Sequence, residues 1–242
     1  MQSTSSGSAE PRGNALLNSL DAGEYSELLG GAESVELELR YVLYEANAPI
    51  THVYFFTRGV ASIIAPVGDG ASVEVGTVGN EGFIGLPLLL GADHEPAKAF
   101  VQVAGAGLRV TAAAFQHSVA TSPALRGLFL RYAHSYLSQV SQSSACNRAH
   151  SIEERCARWL LMTHDRVGAD EFPLTHEFLS LMLGVRRAGV TVAAGMLQRA
   201  GLIDYKHGHI TIVDREGLEG AACPCYRIIR ESYNGLLRSP RT

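Results

Sequence analysis

From about Ser34 to Val110, apolar residues recur at alternate positions in short runs divided by glycines, as in "VELELRYVLY", "ASVEVGTVG" and "AFVQVAGAGLRVTAA". Period-two patterning of this kind predicts strands with one buried face, and the spacing of the turn residues predicts an antiparallel sandwich or barrel. "HVYFFTRGVASIIAPV" reads as two strands around Arg58-Gly59, and Gly105 to Gly107 break the last run in the same way. From Pro123 to about Ala149 the period changes. Leu125, Leu128, Phe129, Tyr132, Tyr136 and Val140 recur at steps of three and four, one apolar stripe on a long helix. Such a stripe can meet a second copy of itself or lie on its own β-domain, and the pattern leaves both open.

Ser151-Ile152-Glu153-Glu154 has the form of a capping box, with a hydroxyl to accept a backbone N–H and a Glu to reach back. It predicts a helix from about Ile152 to Val167 and a joint near His150-Ser151; Gly168 to Pro173 reads as a loop. Thr175 then caps a short helix carrying Phe178, Leu179, Met182 and Leu183, and Gly184 suits a left-handed helix end. A second helix starts at Arg186 and Arg187, buries Val190, Ala193, Ala194 and Leu197, and stops at Gly201. Leu202 to Val213 reads as a hairpin turning at Lys206-His207-Gly208. Two helices joined by a tight glycine turn and followed by a hairpin form a winged helix-turn-helix, whose second helix enters the major groove N-terminus first.

That geometry explains the residue types. A guanidinium fork at Arg186 or Arg187 pairs with guanine O6 and N7 or with phosphate, and Thr191 lies one turn on. Thr175, Arg186, Arg187, Thr191, Lys206 and His207 are the expected DNA contacts. The chain carries a net charge of −4, yet Pro173 to Arg215 holds five basic and three acidic residues. The position of the basic groups, not the total, governs phosphate contact.

Other chemistry is weakly supported. The β-region lacks the H-x-H pair of a metal barrel, its histidines (His52, His94, His117, His134) being scattered, so no enzyme activity is expected. Cys223-Pro224-Cys225 is a close pair, but Cys146 and Cys156 are far off in sequence. No metal site and no cofactor is expected, while a redox role for the pair stays open. Few cysteines, no signal-like N-terminus and no apolar run of membrane-spanning length point to a cytoplasmic protein without a membrane partner.

From about Leu16 to Leu218 the chain resembles the Crp/Fnr family of bacterial transcription regulators. The resemblance rests on "YFFTRGVASII", "GNEGFIGLPLLLG", the long central helix and "LTHEFLSLMLGVRRAGVTVAAGMLQRAGLIDYKHGHITI". It implies an α+β chain: an N-terminal antiparallel, jelly-roll-like β-roll of the cyclic-nucleotide-binding type, a long central dimerisation helix and a C-terminal winged helix-turn-helix. The expected divisions are a disordered tail at 1–13, the sensor at 14–122, the helix at 123–150, the DNA-binding domain at 151–220 and an extension at 221–242. The implied dimer contacts are Leu125, Phe129, Tyr132, Tyr136 and Val140. The implied partners are double-stranded DNA with a palindromic operator, a second copy of the chain, an unknown small-molecule effector and RNA polymerase.

Two departures narrow this. The implied ligand-facing positions are Gly85, Leu86, Lys98 and Ser141. Nucleotide-binding members have Glu after the glycine and an Arg later on; here Leu86 follows Gly85, and Pro96-Ala97-Lys98-Ala99 offers no guanidinium fork. Cyclic AMP and cyclic GMP are therefore not the expected ligands. Ala188 follows Arg187 where members reading TGTGA- or TTGAT-type sites carry Glu, so a different operator is expected. The family's iron–sulfur members use N-terminal cysteines, which this chain lacks. The alternative is a ligand-binding or scaffolding protein whose winged helix contacts protein.

Overall fold

The computed structural model describes residues 13–236. All but Gly13 of the tail expected at 1–13, and the end of the 221–242 extension, lie outside the described residues. The chain runs α1 (Ala15–Asn18), α2 (Ala22–Leu29), β1 (Glu33–Leu37), β2 (Val42–Tyr44), β3 (His52–Gly68), β4 (Ala71–Val78), β5 (Phe83–Ile84), α3 (Leu86–Leu89), β6 (Lys98–Thr111) and α4 (Ala112–Thr121). After α5 (Pro123–Ala149) and α6 (Ile152–Val167) come β7 (Glu171–Pro173), α7 (His176–Leu183), α8 (Arg187–Arg199), β8 (Ile203–Lys206), β9 (His209–Ile212), α9 (Arg215–Ala221) and α10 (Cys225–Leu236).

The N-terminal strands form one antiparallel sheet in the order β1-β6-β3-β4, with β2 on β6 and β5 on β3. The two strands expected around Arg58-Gly59 are one, β3, and Gly105 to Gly107 lie inside β6 and not at a turn. The glycines serve a close crossing. A Cβ on Gly105 would stand 2.2 Å from the Arg58 carbonyl oxygen, and one on Gly107 would stand 2.4 Å from that of Phe55. The β3–β6 register shifts near Arg58 and Val60, which bends the long pair without ending it.

The expected helix after the joint is present as α6. Both bonds of its capping box form, Glu154 N–H to Ser151 Oγ and Ser151 N–H to Glu154 Oε2. The stretch read as a loop before α7 contains β7, which joins β9 and β8 as a three-stranded wing. Its central strand must pair on both edges, and Glu171–Pro173 supplies the second one.

The stripe on α5 faces inward. Leu125, Phe129 and Tyr132 are fully buried, Tyr136 is buried and Val140 is half-buried, all in the core shared with the sheet. Phe83 packs its ring against Phe55, Phe115, Phe129 and Tyr132, at 5.4, 5.3, 5.2 and 4.8 Å between centroids. The five residues expected as a dimer interface are thus the seam between α5 and its own sheet, a correction to the expectation. The aromatic stripe finds its partner rings within the same chain, and burial there satisfies the pattern as fully as a second helix would.

Helix α10 continues this layer. Tyr233 approaches Tyr132 at 6.5 Å, and Ser135 Oγ donates to the Ser232 carbonyl at 3.3 Å. Among the described residues no single helix is long and apolar enough to cross a membrane.

Candidate nucleic-acid interface

Helices α7 and α8 meet at 104°. The bend comes from Gly184, whose φ of +62° ends α7 in the left-handed region that glycine adopts without strain. Thr175 caps α7 by accepting the Phe178 N–H at 3.1 Å. Val190, Ala193, Ala194 and Leu197 are buried against a core that includes Trp159, Leu160, Leu179 and Ile210. With that face committed, the opposite face of α8 points outward.

Arg186 is the N-cap of α8 and Arg187 its first residue; both are exposed, as are Ala188 and Thr191. Among the described residues neither arginine forms an ion pair. Two uncommitted guanidinium groups at a helix N-terminus, beside small residues that permit close approach, match what a major-groove edge demands. Arg186 also borders the groove between α7 and the sheet, together with Arg40 and Lys98.

The wing turns as expected. His207 and Gly208 have φ of +50° and +80°, the two-residue turn that suits a tight hairpin, and Lys206 pairs with His209 across it. Lys206 and His207 are exposed at the tip, with Lys206 Nζ 2.5 Å from Asp204 Oδ2. One residue of this region had no signal in the sequence, His176. Its Nδ1 lies 3.1 Å from Thr191 Oγ1, and its ring stacks on Tyr205 at 4.4 Å. Burial, reinforced by the Arg187 charge, holds its pKa below the ordinary histidine value. A neutral His176 ties together α7, α8 and the wing, and fixes Thr191 beside the arginines.

The four ligand-facing positions do not meet. Gly85 and Leu86 line a cavity of about 330 Å³ between the sheet and α5, walled by Tyr44, Ile63, Phe83, Tyr136 and Val140. Lys98 lies outside it, paired with Glu45 at 2.9 Å, and Ser141 is exposed on α5 beyond its rim. Among the described residues no Lys or Arg lines the cavity. Its wall is apolar because the stripe of α5 closes it.

A second cluster lies at the joint. Cys146 and His150, one turn apart at the end of α5, meet Cys223 and Cys225 at the start of α10. The four donor atoms all lie within 4.8 Å of one another. Cys146 is far from Cys223-Pro224-Cys225 in sequence, and that separation concealed their contact in space. Cys156 stands apart, buried in the core around Trp159, where burial pushes its thiol up to about 12.

Comparison with known proteins agrees with this layout. The model of the Crp-like helix-turn-helix domain matches residues 154–221. No curated protein matches the chain. Among solved structures, FixK2 from Bradyrhizobium japonicum is similar at a TM-score of 0.68 and 15% identity, covering 79% of this chain and 98% of its own. A CRP-family transcriptional regulator from Thermus thermophilus aligns at a TM-score of 0.66 and 17% identity, covering 78% and 96%. A CRP/FNR-family regulator from the same organism aligns at a TM-score of 0.66 and 20% identity, covering 78% and 98%. With an antiparallel sheet in front, helices in the middle and a matched Crp-like helix-turn-helix domain behind, the chain has the fold of these Crp/Fnr-type structures.

Proposed function

We propose that the chain is a sequence-specific DNA-binding transcription regulator that acts in the cytoplasm as a homodimer on a palindromic operator. The observation that carries this is the exposed Arg186-Arg187 pair at the leading end of α8, free of ion pairs among the described residues, on a helix whose other face is fixed in the core. Arg187 reads a base edge, Arg186 and Thr175 hold phosphates, Thr191 contacts a thymine methyl or phosphate, and Lys206 with His207 follows the flanking backbone.

Dimerisation uses the face of α5 that the sheet leaves free. Leu130 and Leu137 keep 44% and 54% of their surface exposed, and His134, Ser141 and Ser144 are exposed with them. Positions 130, 134, 137, 141 and 144 are spaced four and three residues apart, the seam of a two-helix coiled coil.

The effector is a small apolar molecule and not a cyclic nucleotide. A cyclic phosphate needs a cation, and among the described residues the cavity beside Gly85 and Leu86 offers mainly aromatic and aliphatic walls, to which His94 and Glu95 add polar side chains. An effector acts by binding the DNA-competent arrangement and the incompetent one with different affinity. RNA polymerase is the partner through which the bound regulator alters transcription.

Selection of bound genomic fragments by the purified chain tests the reading. The expected result is one palindromic motif, bound less tightly as salt rises. Arg187→Ala should weaken it by about 1–3 kcal/mol per lost bidentate contact, with unchanged thermal stability. Equal recovery of all fragments by both proteins would remove the reading.

A further inference from the structure

Two of the donor separations at the joint are close to those that one tetrahedral ion imposes, and all four donors lie within 4.8 Å of one another. Cys146 Sγ and Cys223 Sγ are 3.4 Å apart, and Cys225 Sγ is 3.6 Å from His150 Nδ1. Bonds of about 2.3 Å to sulfur and about 2.0 Å to nitrogen in a tetrahedron give ligand–ligand edges of roughly 3.5–3.8 Å. An iron–sulfur cluster places its own iron and sulfide atoms between its ligands and needs a wider opening than four atoms within 4.8 Å. Three sulfurs and one imidazole exclude hard cations such as magnesium and calcium, which take oxygen.

The surroundings fit independently. Arg155 and Arg158, both buried, lie close enough to influence these thiols electrostatically. Neither forms an ion pair among the described residues, and the Nε of each lacks a hydrogen-bond partner. Arg158 also acts on the Glu74 carboxyl, but no carboxylate acts on Arg155 among the described residues, and a buried guanidinium without counter-charge is costly. Three thiolates, a neutral imidazole and a divalent ion sum to a single negative charge beside them. Gln142 Nε2 donates to Cys225 Sγ at 3.1 Å, the kind of outer hydrogen bond that orients a thiolate ligand.

We propose that Cys146, His150, Cys223 and Cys225 form a closed site for one zinc ion that staples the last turn of α5 to the start of α10. All four positions of the ion are filled by protein, so the site is structural and not catalytic. It lies next to Ser151, the cap of α6, where the sensor half passes into the DNA-reading half. Loading it fixes the joint and docks α10 on α5; losing the ion frees both.

The test uses the full chain, reduced, chelator-treated and titrated anaerobically with cobalt(II). The proposal expects thiolate-to-cobalt charge transfer together with intense tetrahedral d–d bands, saturating at one cobalt per chain and abolished by one equivalent of zinc. Weak octahedral bands without thiolate charge transfer would overturn it, because the wild-type protein needs no substitution to give that answer. His150→Ala and Cys225→Ser should each weaken zinc binding by more than the roughly 10–100-fold of an outer-shell change. Cys156→Ala should leave binding unaltered. A reversal of that order, or equal loss in all three with native circular dichroism, would also sink the assignment.

Discussion

Glu74 shows how one side chain couples the two halves of the molecule. It lies on β4, and its carboxylate accepts from Trp159 Nε1 of α6 at 2.8 Å and from Ser62 Oγ of β3 at 2.7 Å. Those hydrogen bonds and the charges of Arg158 and Arg166 favour ionisation, but burial outweighs them and raises the carboxyl to about 7. The folded chain therefore keeps a proton that the unfolded chain releases above about 4.5. Stability from this group is complete below that value and declines as pH rises towards about 7, the reverse of a salt-bridged carboxylate. The slope is at most one proton, about 1.4 kcal/mol per pH unit. Urea unfolding of the wild type from about pH 4.5 to 7.5 should show this decline, and Glu74→Gln should flatten it. At this scale the sequence disclosed what local pattern controls: Arg186, Arg187 and Lys206 end on the surface, as a helix start and a hairpin tip require. It could not disclose Glu74 or His176, whose roles come from residues brought together across distant elements.

Among the elements, α5 was legible as a helix but not as a neighbour. Period 3.6 states that one face is apolar and does not state what covers it, so the same five residues fit a dimer seam and a sheet contact. The sheet carries a record of the answer in its glycines. A Cβ on Gly82 would stand 2.1 Å from the Tyr132 ring, and one on Gly76 would stand 2.4 Å from the Tyr136 hydroxyl. Both tyrosines press on backbone that only glycine vacates, and Tyr132 donates to the Phe83 carbonyl at 3.0 Å. Gly82→Ala should therefore destabilise the chain by about 1–3 kcal/mol through overpacking. Gly220→Ala, in α9 with no atom within 4 Å of the added methyl, should be neutral or slightly stabilising. Chemical denaturation of the pair distinguishes a packing constraint from a general effect of losing glycine. Helix α10 was legible in principle, since Tyr226, Ile229, Tyr233 and Leu236 recur at steps of three and four and are turned inward. The cysteine cluster was not, because Cys146 and Cys223 are brought within 3.4 Å by the fold alone.

At the scale of the whole molecule the helix-turn-helix unit is docked on the sheet. Phe178 of α7 sets its edge on Phe100 of β6 at 6.0 Å, and a Cβ on Gly184 would stand 2.8 Å from Val73 of β4. If α8 is the recognition helix proposed above, one chain presents one such helix, held at a fixed place relative to α5. A palindrome offers two half-sites, and the second is gained only when another copy holds its own α8 at the matching distance. If the copies join through the exposed seam of α5, charges placed there separate them without disturbing the core, since Leu130 and Leu137 face outward. Leu130→Glu with Leu137→Glu should sediment as a monomer with the melting temperature of a folded chain. Its affinity for a single half-site should match the wild type, because Arg186 and Arg187 are untouched. For the full palindrome it should fall by about 10²–10⁴-fold, the effective-concentration gain that a tethered second module supplies. A dimeric double variant would move the interface to another face of the molecule, whereas a monomer that still binds the palindrome at full strength would separate operator recognition from dimerisation.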